Sequence, residues 1–515
     1  MPASTAFIQA QMQQALALHQ TGQLAAAQGI YEAVIRQEPK NADAHHFLGV
    51  IAYQNNEHRR AVDLITAAIG LFPTNPAAYS NRARALQALA NHVGAVASYD
   101  QAIALNADFL EAHFYRAGAL QEIGQLEAAV AGYDRVIALR PRAAEAYFNR
   151  GNALKDLGRF DEALQSFHRV LELEPDNLDA KRNVFWLNFI TFGDPALLER
   201  LSADIAAGQA RNDAAQFASR KSMADFRVLH DLEQTDYLLA RGHNGPALRA
   251  GNASLRGVYA RAAHDNASKQ ISLSQEEAAD IIGLRQQPIR YQPKPLTRCL
   301  NPETDWAGVE DAYFRSSPEI VVIDNLLCPE VLAELREFCL ASQMWTLEFK
   351  NQYLGVLAEG GFIGPLHMQI AEDLRRYMPR IFGAHLLEQL WAFKYTSTLG
   401  RGINVHADYA RINLNFWITP DEANLDPASG GLVVYDVPAP LDWGFEEYNK
   451  NDSGSIYTFL KEAGAECRRI PYKCNRAILF NSRLFHETDD IRFKDGFANR
   501  RVNVTYLFGR GLGRR

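Results

Sequence analysis

A chain of 515 residues exceeds the usual size of one domain and leaves room for two domains and a connector. Its formal charge of −7 gives no basic field, which argues against nucleic acid as a main partner. Five cysteines (Cys299, Cys328, Cys339, Cys467, Cys474) without C-x-x-C spacing disfavour a zinc cluster and a disulfide framework, and fit a reducing cytosol.

Residues Met1–Gln20 show no cationic end followed by an apolar core. No stretch reaches the roughly 20 apolar residues of a membrane span. The expectation is a soluble cytoplasmic chain with no membrane partner. A step of 34 residues then governs the first part. Pro39, Pro73, Pro141 and Pro175 keep it, with Ala107 in the missing register. Ala27, Ala61, Ala95, Ala129 and Ala163 follow the same step, as do Tyr31, Ile65, Tyr99, Tyr133 and Phe167. Small residues where helices touch, and a proline closing each unit, resemble the tetratricopeptide repeat, which implies two antiparallel helices per unit. Five units are expected over about residues 8–175, within a repeat domain ending near residue 193. Leu178 begins a sixth first helix, and Val184-Phe185-Trp186-Leu187 with Phe189 and Ile190 is too apolar to face water. Stacked repeats form a concave surface suited to a protein or peptide partner. Asn81, Asn149 and Asn183 occupy one repeat position, with Tyr115 between them. They form either a backbone-holding ladder or ordinary repeat asparagines.

Residues 194–290 are rich in Ala, Gln and charge, without strand alternation, and predict a helical connector. Leu229, Leu232, Tyr237 and Leu238 mark an amphipathic helix ended by Gly242–Gly245. Pro288, Pro293 and Pro295 open the last domain, 291–515. There Ile320–Asp324 predicts a strand and Pro329–Ala341 a helix, with Pro329 at its start. Ala392–Thr396 is aromatic and β-branched, and Ile403–Asp408 alternates. Ile412, Leu414, Phe416 and Ile418 alternate with Arg411, Asn413, Asn415 and Trp417. Further strands are expected at 430–435, 477–480 and 501–508. Many short strands between Gly, Pro and Asp turns argue for an antiparallel sandwich or jelly roll.

Of 14 histidines, only His406 has an aspartate two places on, and the one histidine beyond Asp408 is His486. On a strand, His406 and Asp408 point to one face. Two imidazoles and one carboxylate leave open positions opposite them, the ligand set expected of non-haem Fe(II) oxygenases. Around this set, Tyr395 stands on the strand before the H-x-D. Asn413-Leu414-Asn415-Phe416-Trp417 follows it, Gly430-Gly431-Leu432-Val433 comes next, and a final strand opens with Arg500 and Arg501. Together these features, over about residues 390–512, resemble the 2-oxoglutarate and Fe(II)-dependent dioxygenases, in their prolyl-hydroxylase-like branch.

The resemblance implies a double-stranded β-helix (jelly roll) with Fe(II) on His406, Asp408 and His486. It also implies 2-oxoglutarate as co-substrate, with ascorbate as an optional cofactor. The family's R-x-S/N pattern aligns with Arg501-Val502-Asn503, so Arg501 would pair with the distal carboxylate of 2-oxoglutarate. Arg501 shares a strand face with Asn503 and Thr505, whereas Arg500 shares one with Val502, Val504 and Tyr506. The interval from His486 to Arg501 is longer than usual for the family, so Arg492 and Lys494 stand as substitutes. Tyr395 serves either the co-substrate or the core. Asp489 and Asp490 are expected in a solvated turn, and Trp443, Tyr448 and Asn449 line either a substrate lid or ordinary packing. The implied reaction converts 2-oxoglutarate to succinate and CO2 while hydroxylating a substrate C–H. An aspartate at 408 favours hydroxylation over halogenation, for which the related enzymes leave room for halide. The expected substrate is a protein or peptide side chain recruited by the repeats. The rivals are a small-molecule oxygenase whose repeats serve assembly, a non-catalytic repeat scaffold, and a metal-dependent jelly roll of other chemistry.

Overall fold

The computed structural model describes residues 5–220, 222–262, 270–294, 296–349, 351–397, 400–449 and 453–510. Pro295, expected to help open the last domain, lies outside the described residues, as do the first four of Met1–Gln20. The chain forms two compact units, Met1–Val184 and Phe185–Arg515.

In the first unit the 34-residue step becomes helix pairs: Thr5–Gln20 with Leu24–Gln37, then Ala42–Gln54 with His58–Leu71, and so on to Ala144–Asp156 with Phe160–Leu173. The periodic alanines Ala27, Ala61, Ala95, Ala129 and Ala163 are all fully buried. So are Tyr31, Ile65, Tyr99 and Phe167, and Tyr133 nearly so. A small residue lets two helices approach, and the large residue four places later fills the groove between them. Asn75 caps its helix through the backbone N–H groups of Ala77 and Ala78, and Asn91 caps the next through Gly94. Two asparagines of the repeated position are engaged with their own chain. Asn81 bonds the buried His46 at 3.0 Å. Asn183 accepts from the Lys155 ammonium at 2.8 Å and donates to the Asp179 carbonyl at 2.9 Å.

The division at Val184/Phe185 lies earlier than the expected boundary near residue 193. The cause is the apolar run: Phe185 and Phe189 are completely buried in the main core of the second unit. Beside them the Trp186 indole N–H donates to Glu359 at 2.6 Å. The connector folds as helices Pro195–Arg220, Asp225–Ala240, Pro246–Ala262 and Gln275–Gln286 around Val228, Leu232, Leu255 and Ile281. Ser274 and Glu277 close a reciprocal capping box on the last of these. Against expectation the connector also holds two short strands, Ser222–Ala224 paired antiparallel with Gln270–Ser272. Three residues carry too little alternation to announce a strand.

The rest of the second unit is built on antiparallel sheets. The larger runs in the order Ile320–Ile323, Ala477–Asn481, Ala410–Trp417, Val502–Arg510, Leu387–Tyr395, Tyr353–Leu357, Leu347–Phe349. The smaller joins Cys467–Ile470, Leu432–Pro438 and Leu484–Thr488. Period-2 alternation gives the large sheet two different faces. Ile412, Leu414, Phe416, Val504, Tyr506 and Ala392 enter a core covered by the helices Trp306–Arg315, Pro329–Ala341 and Pro365–Tyr377. On the other face, Tyr395, Trp417, Ile478 and Phe480 pack with Leu432, Val434, Ile470 and Leu484 of the small sheet. The polar residues Asn415, Asn503 and Thr505 stand on that inner face. Register places Thr505 between Asn415 and Trp391, and Asn503 between Trp417 and Phe393.

Candidate metal centre

One expected strand is absent. Residues 402–409 form no ladder, and only an isolated antiparallel bridge ties His406 to His486. The His406 N–H donates to the His486 carbonyl at 3.0 Å, and the His486 N–H returns the bond at 2.8 Å. The two glycines Gly400 and Gly402 precede the segment, and its inter-strand bonds go to the loop and to Leu484–Thr488 instead of a neighbouring sheet strand. Alternation of faces survives nonetheless: Val405 and Ala407 are buried with Phe485, Ile456 and Leu460, while His406 and Asp408 face the opposite side.

There the ligand atoms of His406, Asp408 and His486 all lie within 4.8 Å of one another. His486 Nε2 is 3.4 Å from Asp408 Oδ2, and His406 Nε2 is 3.9 Å from Asp408 Oδ1. Each imidazole is oriented from behind. His406 Nδ1 bonds the Asn404 carbonyl at 2.8 Å, and His486 Nδ1 bonds the Leu484 carbonyl at 3.0 Å. A carbonyl only accepts, so both Nδ1 atoms carry the proton and both Nε2 lone pairs face the cluster, the arrangement a metal-ligating histidine needs. Burial, and then the neighbouring His486, hold the pKa of His406 at about 4, so its imidazole is neutral at physiological pH. Burial alone would raise Asp408. Hydrogen bonding from His486, the charges of both imidazoles and the Asn413 amide at 2.7 Å outweigh it and keep the carboxylate ionised. His486 is 3% exposed, while His406 and Asp408 are 17% and 11% exposed, so the cluster opens to one side only.

Two cavities meet at this opening and share Trp391, Phe393, Ile403, His406 and Asp408. The inner one continues past Tyr395, Asn415, Thr488, Asn503 and Thr505. The outer one is walled by Phe349, Tyr353, Tyr409 and Asn449 among others.

Arg501 is 1% exposed. Its guanidinium lies 4.8 Å from the Tyr395 ring centroid and 5.5 Å from that of Trp417. Nε donates to the Gly430 carbonyl at 2.7 Å and Nη2 to the Gly431 carbonyl at 3.1 Å, but the buried Nη1 has no hydrogen-bond partner. A buried cation with one unused donor is costly unless something accepts from it. Arg500 turns the other way and pairs with Glu233 at 2.6 Å. Arg492 and Lys494 are exposed.

The Gly-Gly pair has a structural cause. Gly430 adopts φ +80°, and a β-carbon on Gly431 would stand 1.9 Å from the Ile470 carbonyl oxygen. Gly431→Ala is therefore expected to push the strands Leu432–Pro438 and Cys467–Ile470 apart and disturb the carbonyls that hold Arg501. A loss of roughly 3 kcal/mol, near the upper end of ordinary single substitutions, should appear in denaturant unfolding of the full chain.

Asp489 is not solvated as expected. It is 4% exposed and pairs with Arg469, and only Asp490 reaches solvent. Trp443 and Tyr448 pack behind the His406–Asp408 segment. The Ala407 N–H donates to the Tyr448 carbonyl, and the Asn449 amide donates to the Ala407 carbonyl at 3.0 Å. The insertion thus braces the triad. Asn413, which fixes Asp408, and Asn415 and Thr505, which line the inner cavity, were legible only as polar positions of a strand pattern.

Comparison with known proteins bears on the first unit. Tetratricopeptide-repeat family models match residues 12–76, 119–158 and 144–177. Among solved structures, a MamA protein is 23% identical over 33% of this chain and 94% of its own (TM-score 0.31). YrrB, described as a TPR protein with an unusual peptide-binding site, is 21% identical over 33% of this chain and 89% of its own (TM-score 0.32). A thermophilic TPR protein of Thermus thermophilus is 20% identical over 34% and 96% (TM-score 0.28). No curated protein sequence matches the chain. The chain carries tetratricopeptide repeats, as the 34-residue step indicated. The second unit contains antiparallel sheet, and no helix among the described residues is long and apolar enough to cross a membrane.

Proposed function

We propose that the protein is an Fe(II)- and 2-oxoglutarate-dependent dioxygenase that hydroxylates a protein or peptide side chain recruited by its tetratricopeptide repeats. The observation that carries this reading is the triad itself: two imidazoles with Nε2 lone pairs turned inward and one ionised carboxylate, converging within 4.8 Å. Those donors suit iron, and the open side leaves positions for further ligands. The two packed antiparallel sheets suit a double-stranded β-helix. The unused Nη1 donor of Arg501 suits a carboxylate, and Tyr395, Asn503 and Thr505 give the inner cavity between Arg501 and the triad polar edges. Iron bound to the triad supplies the redox chemistry that couples decarboxylation of 2-oxoglutarate to C–H hydroxylation. The chain's own residues hold the ligands in one tautomer, anchor the co-substrate's distal end, and wall the cavity against water with Trp391 and Phe393.

The test is to incubate the full chain with Fe(II), 2-oxoglutarate, ascorbate and a cell lysate. Succinate and a peptide heavier by one oxygen atom are expected. Succinate without any oxidised peptide would redirect the search to small molecules, and absence of both would end the dioxygenase reading.

A further inference from the structure

A second cavity, of about 110 Å³, lies within the second unit between the helices Asp225–Ala240 and Gln275–Gln286 and residues 343–348. None of its lining residues borders the cavities of the triad, so a ligand there would not depend on the dioxygenase reading.

Three guanidinium groups line it, from Arg227, Arg285 and Arg290, together with Asp231 and Glu348. The carboxylate of Asp231 is fully used. Oδ2 accepts from Arg227 Nε at 2.8 Å and lies 3.4 Å from Arg285 Nη2, and Oδ1 meets His230 Nδ1 at 3.1 Å. Glu348 is 3.8 Å from Arg227 and largely in solvent. Arg227 spends its remaining reach on the Trp345 carbonyl. Arg290 is different. It is partly buried, and among the described residues no acid lies within ion-pair distance of it and no acceptor within hydrogen-bond distance. Glu199 is the carboxylate whose charge it feels. Its position is made by backbone: a β-carbon on Gly361, at φ +117°, would stand 2.6 Å from Arg290 Nη1. A glycine therefore gives way so that a guanidinium can reach a cavity whose own acids are engaged elsewhere. The Thr346 hydroxyl and the Gln343 amide line the same space. Burial pushes the pKa of Arg290 down, the cost expected of a desolvated cation left without a partner.

We propose that this cavity binds a compact oxyanion, a carboxylate or phosphate group, with Arg290 as its charge partner. A guanidinium presents a fork of donors matched to either group. Such a ligand would complete the charge balance that Asp231 alone leaves open.

Binding of inorganic phosphate and of malonate to the full chain, by calorimetry at matched ionic strength, tests the proposal and separates the two chemistries. Saturable binding of at least one anion is expected, weakened about tenfold or more in Arg290→Gln, the effect of one charge-assisted hydrogen bond. Because Arg290 holds nothing together, Arg290→Gln in anion-free buffer should melt at or above the temperature of the parent. Failure of both anions to bind saturably, binding unchanged in Arg290→Gln, or a variant that melts several degrees lower without anion would each overturn the proposal, the last by making Arg290 a structural residue.

Discussion

His486→Ala is expected to remove iron binding and turnover together. The histidine is 3% exposed, so it has no room to be replaced by a neighbouring group. It is also the hinge of the site: its backbone pairs with His406 in both directions, its Nδ1–H is fixed on Leu484, and its Nε2 faces Asp408. Alanine keeps the backbone bridge and deletes only the ligand atom. Removing a residue that merely holds a ligand in place typically costs 10–100-fold in affinity or activity. Loss of the ligand itself should therefore exceed about 100-fold, read by metal content after dialysis and by succinate formation. Asn413→Ala, which leaves all three ligands and removes the amide on Asp408, is expected to fall within that 10–100-fold range. Nickel, copper or zinc can occupy the parent's purified site, since the same donors bind them more tightly than Fe(II). The measurement therefore starts from stripped protein. Activity retained in His486→Ala would remove the triad from the mechanism.

Much of this architecture could be read before any coordinates. A 34-residue step reports packing directly, because the same two positions of every repeat must meet the next helix, and Ala27 through Ala163 and Tyr31 through Phe167 are buried throughout. Alternation in Ile412–Trp417 and Arg501–Phe508 separates the helix-covered face of the large sheet from its polar inner face, so the faces of Asn415, Asn503 and Thr505 follow from parity. What parity could not supply is the partner of each residue. Residues 403–408 alternate as a strand does, yet their bonds go to a loop and to a single bridge, a long-range choice with no local signal. Asp489 looks like a turn residue because its neighbours are polar, but Arg469, twenty residues earlier in sequence and across a strand, buries it. The domain boundary moved for the same reason: an apolar run announces that it will be covered without saying by which unit. Arg290 is the extreme case, since a lone arginine after a proline says nothing until Gly361 and Asp231 are placed around it.

Arg501 and Arg500 are neighbours whose substitution should give opposite phenotypes. Arg501→Ala removes the buried guanidinium held on the Gly430 and Gly431 carbonyls, along with the one donor, Nη1, that has no partner in the chain. If that donor pairs with the distal carboxylate of 2-oxoglutarate, its loss costs roughly 2–5 kcal/mol, much of it from leaving the other charge buried and unpaired. At 1.4 kcal/mol per tenfold this is about thirtyfold or more in affinity. The KM for 2-oxoglutarate should rise steeply while iron stays bound, because no triad ligand bonds to Arg501. Arg500→Ala should do the reverse. Its guanidinium is 6% exposed and doubly bonded to Glu233 of the helix Asp225–Ala240, so the variant should lose roughly 1.5–3 kcal/mol of stability, the value of a hydrogen bond to a charged group. Its KM for 2-oxoglutarate should stay close to the parent's. The pair of measurements, KM and unfolding midpoint on each variant, separates the roles even if both chains are somewhat destabilised. A steep KM increase in Arg500→Ala with none in Arg501→Ala would transfer the anchoring role to the wrong face of the strand. No change in KM for either would leave Arg492 and Lys494, both exposed, as the next cations to replace.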